Sequence, residues 1–286
     1  MTPYRDTIHA LAELYPQGEA SALARMVFEE RFGMSQTDLL LGKDSNLSAN
    51  DRAELHNIVA RMLKNEPIQY VLGETEFCGL RIAVGPGVLI PRPETEELAE
   101  WITSQHTEPR PQRVLDIGTG SGCIALALAS RGFQVEAWDV SPEALAIARS
   151  NAERLGLNVR FDLKDILHTK AAETRYDVIV SNPPYICQRE AIDMERNVLD
   201  HEPALALFVP DDDPLLFYRS IARFARTALV PGGHLFFEIN RAYSHETKLM
   251  LEQECFINIE LRNDQFNNPR MIKAAKPHTP PTVPQL

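Results

Sequence analysis

Apolar, strand-forming segments alternate with helix-forming segments throughout the second half of the chain. The pattern begins with a buried strand predicted over 113–117, followed by a run of small helix formers over 123–130. The further predicted elements are strand 135–139, helix 142–155, strand 159–161, strand 176–181, helix 214–229 and strand 234–239. Because strands that alternate with helices pair in parallel with helices on both faces, we predict an α/β fold with a doubly wound, mostly parallel sheet.

The region before this pattern predicts a separate helical bundle. Residues 20–28 are rich in helix formers with apolar positions about three and four apart, and Ser48 is placed to cap a helix that runs to about Lys64. The predicted boundaries are a helical domain over 1–75, a β-hairpin and linker over 76–92, the α/β domain over 93–275 and a Pro-rich, disordered tail over 276–286.

Charge and composition argue against several classes of protein. No run of about 18 apolar residues occurs, and the first residues lack the pattern of a signal peptide, so we expect a cytoplasmic protein without a membrane span. The four cysteines are scattered without a Cys-x-x-Cys pair, which predicts reduced thiols and no metal site. The formal net charge of -11 disfavours direct binding to nucleic-acid phosphates. We expect a monomer.

A glycine-rich turn, Asp-Ile-Gly-Thr-Gly-Ser-Gly over 116–122, follows the first strand of the α/β domain and opens a helix. Such a turn allows a ligand to approach the backbone closely, although it also occurs as a simple tight connection. Asp139 ends the next strand, where a carboxylate can accept from both hydroxyls of a ribose. The acid at 116 disfavours a pyrophosphate and favours a ligand with an amine or a positive charge, such as S-adenosylmethionine. The turn resembles the first motif of class I methyltransferases.

The predicted cofactor-binding residues are Asp116, Gly118, Thr119, Gly120, Ser121, Gly122, Asp139, Asp165, Ile166 and Asn182. Of these, Asp165 equally fits a turn residue.

The strand over 176–181 runs into the loop Asn182-Pro183-Pro184-Tyr185. Two prolines remove two N–H donors, which leaves carbonyl acceptors without competing donors. The side-chain oxygen of Asn182 and the carbonyl of Pro183 can each accept one hydrogen of a planar NH₂ group, while Tyr185 offers a flat face for stacking. We therefore predict methylation of a planar nitrogen by orientation, without a general base. Asn182, Pro183 and Tyr185 are the predicted catalytic residues. The predicted substrate-binding residues are Asn182, Pro183, Pro184, Tyr185 and Glu202.

The loop alone does not choose the acceptor. It is shared by enzymes that methylate adenine N6 in nucleic acid and by enzymes that methylate glutamine N5 in proteins. An adenine methyltransferase has to flip a base and grip phosphates. Residues 186–213 are acidic on balance, which disfavours that alternative. Methylation of a ribosomal-protein glutamine shares the chemistry and stays open.

Along nearly its whole length the sequence resembles the peptide chain release factor glutamine methyltransferases of the HemK (PrmC) type. The matching stretches are 66–73 with Phe77, 88–96, 116–122, 182–185 and 201–207, and Ile-Pro-Arg-Pro-Glu-Thr-Glu over 90–96 is the most discriminating. The resemblance implies a helical substrate-recognition domain joined by a hairpin to a Rossmann-like methyltransferase domain. It also implies S-adenosylmethionine as methyl donor, S-adenosylhomocysteine as product, and the Gly-Gly-Gln loop of class 1 release factors as partner.

The same resemblance places Glu202 near the substrate loop, although a Glu-Pro pair also fits a solvated turn. Two positions depart from the family pattern. Asn65 stands where glycine is common, and Asn268-Pro269 separates Asp264 from Arg270. The second departure puts the carried-over role of Arg270 in doubt.

Overall fold

The computed structural model describes residues 2–105, 112–169 and 174–278. The chain divides into two compact units. One unit holds residues 1–75 and 195–201, and the other holds residues 76–194 and 202–286. The sequence did not predict that a short segment from the middle of the chain belongs to the first unit.

The first unit is helical. Its helices before residue 76 are α1 (Pro3–Leu11), α2 (Gln17–Phe32), α3 (Gln36–Leu40), α4 (Ala49–Met62) and α5 (Ile68–Leu72), with a 3₁₀ turn at Lys43–Asn46. The predicted cap of α4 is confirmed: the Ser48 hydroxyl accepts from the Asp51 amide at 3.1 Å, and the Asp51 carboxylate accepts from the Ser48 amide at 3.2 Å. These two bonds satisfy amide donors that the first helical turn leaves unpaired. Phe28, which is fully buried, lies in the apolar core of this unit.

Strands and helices alternate along most of the remaining chain. The elements in order are β1 (Glu74–Phe77), β2 (Leu80–Ala83), α6 (Pro93–Gln105), β3 (Arg113–Ile117), α7 (Cys123–Ser130), β4 (Gln134–Asp139), α8 (Pro142–Leu155), β5 (Val159–Leu163), β6 (Tyr176–Ser181), β7 (Ile186–Cys187), α9 (Arg196–His201), α10 (Ala204–Leu207), β8 (Phe208–Val209), α11 (Leu216–Ala228), β9 (Leu229–Glu238), α12 (Ser244–Gln253), β10 (Ile257–Asn263) and β11 (Pro269–Ala275). Two 3₁₀ turns lie at Gln188–Asp193 and Arg241–Tyr243. Helix α9 is part of the first unit.

The second unit is built on one sheet of seven strands in the order β10-β11-β9-β6-β3-β4-β5. Strands β9, β6, β3, β4 and β5 pair in parallel. Strand β11 runs antiparallel to β9, and the edge strand β10 runs antiparallel to β11 and so in the same direction as β9. This confirms the predicted α/β class with a mostly parallel sheet. Since parallel strands share a direction, the carboxyl ends of β3, β4, β6 and β9 meet at one edge, where ligands of such folds bind.

The last part of the sheet was not predicted from the sequence. Strand β10 is largely exposed, so its residues lack the apolar run that marks the central strands. Its pairing with β11 is interrupted by register shifts, and Asn258 within it has a φ of 51°. The boundary before β9 was also placed differently, because Leu229 opens the strand and does not end the preceding helix.

The chain beyond β11 remains attached to the sheet for at least one residue. The Lys276 amide donates to the Gly233 carbonyl at 2.8 Å, and the Lys276 carbonyl accepts from the Gly232 amide at 3.0 Å. Of the tail predicted over 276–286, residues 279–286 lie outside the described residues. Within the described ranges, every helix is too short or too polar to cross a membrane.

Candidate functional site

A cavity of about 350 Å³ lies at the carboxyl edge of the parallel strands. Its volume is within the range of sites that hold small organic ligands. Four segments of the second unit line most of it: the glycine-rich turn, the end of β4, the loop after β6 and the segment before α6. The predicted site residues among its lining are Gly118, Thr119, Gly120, Ser121, Asp139, Asp165, Ile166, Asn182, Pro183 and Pro184. The structure therefore brings most of the predicted residues together.

The glycine-rich turn is held against the end of β4. Gly118 and Thr119 both donate their amides to the Trp138 carbonyl, at 2.8 and 2.9 Å. The Gly120 amide donates to Oδ2 of Asp139 at 2.8 Å, and Oδ1 of the same carboxylate accepts from the Ser141 amide at 2.9 Å. Asp139 is thus fixed by two backbone donors, and each oxygen keeps a further lone pair for a ligand hydroxyl.

Asp116 lies beneath the turn and is fully buried. Its Oδ2 accepts from the Thr119 hydroxyl at 2.7 Å, whereas its Oδ1 has no hydrogen-bonding partner among the described residues. Burial, followed by the nearby charge of Asp139, raises the pKa of the Asp116 carboxyl to about 7. A buried carboxyl with a spare oxygen suits a ligand that brings a positive charge to this side of the cavity.

Asp165 and Ile166 line the cavity after β5, but the Asp165 carboxylate also serves its own turn. Its Oδ1 accepts from the Leu167 amide at 2.8 Å, and its Oδ2 lies 2.6 Å from Nδ1 of His168. Ile166 packs against the apolar core of the sheet. The cofactor-binding role of these two residues stays a prediction.

The loop after β6 is anchored by hydrogen bonds that the sequence did not predict. Nδ2 of Asn182 donates to Oγ1 of Thr95 at 3.2 Å, and the Thr95 hydroxyl donates to Oε2 of Glu238 at 2.6 Å. The Tyr185 hydroxyl donates to Oε1 of Glu238 at 2.8 Å. Asn182 and Tyr185 are therefore joined through one buried carboxylate at the end of β9.

The sequence analysis did not identify Thr95 and Glu238 as site residues, although the sequence contains a signal for each of them. Thr95 lies in the stretch 90–96 that carried the resemblance, and Glu238 is an acid at the end of an apolar strand, like Asp139. What the sequence lacked was the pairing, because Thr95 and Glu238 are 143 residues apart. Burial raises the pKa of Glu238. Burial, with the charge of Glu238 added, holds the pKa of Tyr185 well above its ordinary value, so this phenol stays a donor.

Glu202 contacts the segment before α6. Its carboxylate, 1% exposed, accepts from the Ile90 amide at 3.1 Å and pairs with the guanidinium of Arg92. Both oxygens are thus engaged by the chain, and Glu202 is not in the cavity lining, although the neighbouring Pro203 is. In the structure, Glu202 holds the Pro-Arg-Pro segment. Its contact with substrate stays a prediction.

Asp264 and Arg270 remain paired despite the departure between them. Nε of Arg270 lies 3.5 Å from Oδ2 of Asp264, and Oδ1 of Asp264 accepts from the amides of Phe266 and Asn268 at 2.9 Å each. Hydrogen bonds from these amides and from Arg270 lower the pKa of Asp264. Asp264 therefore organises the turn between β10 and β11, and Arg270 extends from that turn.

The arrangement presents acceptors to an incoming group. Asn182 is held through its NH₂ end, which leaves its oxygen for another donor, and Pro183 lies beside it without a backbone N–H. The glycine-rich turn and acidic side chains line the same cavity. Such a site can bind a positively charged small molecule and align a planar NH₂ group next to it.

Comparison with known proteins decides the family. The profile of the PrmC N-terminal domain matches residues 4–73, and that of the Methyltransferase small domain matches residues 95–202. The release factor glutamine methyltransferase of Bacteroides thetaiotaomicron is 48% identical over 93% of this chain and 96% of its own length. This chain belongs to the release factor glutamine methyltransferase family. The family member from Flavobacterium psychrophilum is 41% identical over 93% of this chain and 95% of its own.

A solved structure has a similar fold. The T. thermophilus 16S rRNA N2 methyltransferase RsmC, solved in complex with AdoMet and guanosine, has a TM-score of 0.53 and is 21% identical to this family member. The match covers 71% of this chain and 49% of RsmC, so the chain spans about half of that protein. At this identity the likeness shows the methyltransferase fold alone.

Proposed function

We propose that this protein transfers a methyl group from S-adenosylmethionine to the N5 nitrogen of a glutamine in the Gly-Gly-Gln loop of class 1 peptide chain release factors. The family supports the reaction and the acceptor. The observation that carries the proposal is the hydrogen bond of Asn182 through Nδ2, because it leaves Oδ1 to accept from the amide of the substrate.

The residues of the glycine-rich turn and of β4 fit the cofactor. S-adenosylmethionine supplies an electrophilic methyl group on a positively charged sulfur. Asp139, fixed by Gly120 and Ser141, is positioned to accept from the ribose hydroxyls. Asp116 provides negative charge beneath the turn, which favours a cationic ligand and disfavours a phosphate.

The loop after β6 orients the acceptor nitrogen. Oδ1 of Asn182 and the carbonyl of Pro183 each accept one N–H of the glutamine amide, which turns the nitrogen lone pair towards the methyl group. Tyr185, held by Glu238, provides a flat face next to the planar amide. Rate enhancement comes mainly from holding the nitrogen in line with the bond that breaks. The extra proton leaves to water after transfer, since the methylated amide nitrogen is strongly acidic.

We also propose that the enzyme acts on a protein in the cytoplasm, as a monomer and without direct contact with nucleic acid. The support for this proposal is the formal net charge of -11 and the release factor acceptor in the names of its relatives.

Mass spectrometry of the Gly-Gly-Gln peptide of a purified release factor, after incubation with enzyme and S-adenosylmethionine, tests the proposal. We expect a gain of one CH₂ on the glutamine. The variant Asn182→Ala should lose this product and keep most of its cofactor affinity, whereas Asn158→Ala, in an exposed loop, should behave like the wild type.

Other outcomes of the same incubation would overturn the proposal. Labelled methyl on DNA with an unmodified release factor would establish the adenine reaction. Label on a ribosomal protein alone would leave the chemistry in place and replace the partner. An unmodified release factor with tightly bound cofactor in every mixture would indicate a binding protein.

A further inference from the structure

The half-buried side chain of Asn182 is the cavity-lining end of a buried hydrogen-bond chain. Its NH₂ group donates to the Thr95 hydroxyl, which in turn donates to Glu238. The second oxygen of Glu238 accepts from Tyr185. Thr95 is 3% exposed and Glu238 2% exposed, so water does not compete for these bonds.

Proton counting fixes the direction of this chain. When Glu238 is ionised, both of its oxygens only accept, so it takes the single hydroxyl proton of Thr95. With that proton committed, Oγ1 of Thr95 can only accept from Asn182. The amide of Asn182 must then present its NH₂ end to Thr95, and its oxygen is held on the other side of the group. This orientation of the Asn182 amide follows from the groups that meet, whichever of its two end atoms is the nitrogen.

We infer that Thr95 and Glu238 are positioning residues that fix which end of the Asn182 amide faces the acceptor, and that they thereby make the site select a carboxamide over a carboxylate. The inference rests on the proposed function for the identity of the acceptor. A glutamine side chain brings two N–H donors to Oδ1 of Asn182 and the Pro183 carbonyl. A glutamate side chain brings only acceptors, so oxygen would face oxygen.

The variant Glu238→Gln tests the direction of the chain with little change of shape. Tyr185 holds the oxygen of the new side chain, which turns its NH₂ group to Thr95. The Thr95 hydroxyl then becomes free to donate to Asn182, and the Asn182 amide can turn over. We expect kcat on a Gly-Gly-Gln peptide to fall ~10- to 100-fold, with cofactor affinity retained.

Threonine variants separate direction from packing. Thr95→Val keeps the shape of the side chain and removes the hydroxyl, so it should lose turnover as Glu238→Gln does. Thr95→Ser keeps the hydroxyl, so its turnover should be close to that of the wild type. Thr103→Val is the matched control on the same helix, because the Thr103 hydroxyl donates to the Ala99 carbonyl of its own helix at 2.9 Å.

The decisive readout is the ratio of affinities for Gly-Gly-Gln and Gly-Gly-Glu peptides, measured by direct binding to the cofactor-loaded enzyme. The wild type and Thr103→Val should prefer the glutamine peptide, and Glu238→Gln should lose most of that preference. An unchanged ratio in Glu238→Gln, or full turnover in Thr95→Val, would overturn the inference. If Glu238→Gln fails to fold, the comparison of Thr95→Val with Thr95→Ser decides. If the wild type prefers the glutamine peptide but methylates neither, the proposed function fails while the inference stands.

Discussion

The carboxylate of Asp139 accepts a hydrogen bond from the backbone amide of Gly120 at 2.8 Å, across 19 residues of sequence. This bond joins the end of β4 to the middle of the glycine-rich turn. Asp139, which lines the cavity, is therefore also a structural support of the turn. Cofactor binding and local stability are therefore expected to change together at this position.

Replacing Asp139 with asparagine should weaken both properties. One of the two amides at Gly120 and Ser141 would then face an NH₂ group, so we expect a loss of about 1–3 kcal/mol in the free energy of unfolding. Cofactor affinity, measured by isothermal titration calorimetry, should fall by at least ~10-fold, as for a lost charged hydrogen bond. Asp200→Asn, at an exposed carboxylate on α9, is the control. Wild-type affinity in Asp139→Asn would contradict the assignment.

Glycine is required at position 122 for two separate reasons. Its φ is 83°, and a Cβ there would lie 3.1 Å from Cβ of Ala148 and 3.3 Å from Cδ1 of Leu126. Gly156 has a φ of 65° but nothing within 4 Å of its would-be Cβ. We expect Gly156→Ala to cost about 1 kcal/mol from backbone strain and Gly122→Ala to cost roughly 2–4 kcal/mol. Urea unfolding of both variants measures the difference. Equal losses in the free energy of unfolding would contradict the expected clash of a Cβ at position 122 with Ala148 and Leu126.

The central strands were predictable because each signals itself locally. Apolar runs mark β3, β4 and β6, and glycine or acidic residues mark the points where β3 and β4 end. The parallel sheet then brings those ends to one edge, so a list of strand ends was enough to assemble most of the cavity.

What escaped the sequence depends on pairing between distant segments. Glu202 was predicted to contact substrate, but its partner Ile90 is 112 residues away and becomes visible only in the structure. Thr95 and Glu238 were missed for the same reason. Strand β10 escaped because it is largely exposed, so its apolar alternation is weak.

The ionisation of Asp116 should make stability depend on pH. Its pKa is raised from 3.8 to about 7 in the folded protein, so the folded state binds the proton more tightly. The stability of the cofactor-free enzyme should therefore fall as pH rises from about 4 to about 7, because ionising the buried group costs more in the folded state. Relative to Asp116→Asn, the wild type should lose about 2–3 kcal/mol between about pH 5 and about pH 8.

Chemical denaturation of the wild type and Asp116→Asn at both pH values measures this effect. A constant difference between the two proteins over that range would show that Asp116 is already ionised at the lower pH. Asp51→Asn, at a helix cap of the first unit, provides a carboxylate control in the same experiment.

The hold of Glu202 on the segment before α6 predicts a coupled loss. Glu202→Ala would leave the Ile90 amide buried without its acceptor, at a cost of about 1–3 kcal/mol in the free energy of unfolding. Since Leu89 of that segment and Thr95 at the start of α6 line the cavity, kcat/KM for the acceptor should fall as well. Arg92→Ala, which removes only the half-exposed partner, should be milder. Comparable losses of stability and of kcat/KM in the two variants would show that Glu202 holds the segment through its ion pair with Arg92 and not through the Ile90 amide.

The boundaries between the two units fall after residues 75, 194 and 201. Helix α9 belongs to the first unit although its flanking residues belong to the second, so the polypeptide passes between the units three times. Cutting the gene after codon 75 would therefore separate the helical unit from one of its own pieces. Exchange of N-terminal units between relatives should succeed only when residues 195–201 are exchanged with them, which makes two distant stretches of sequence a single inherited module.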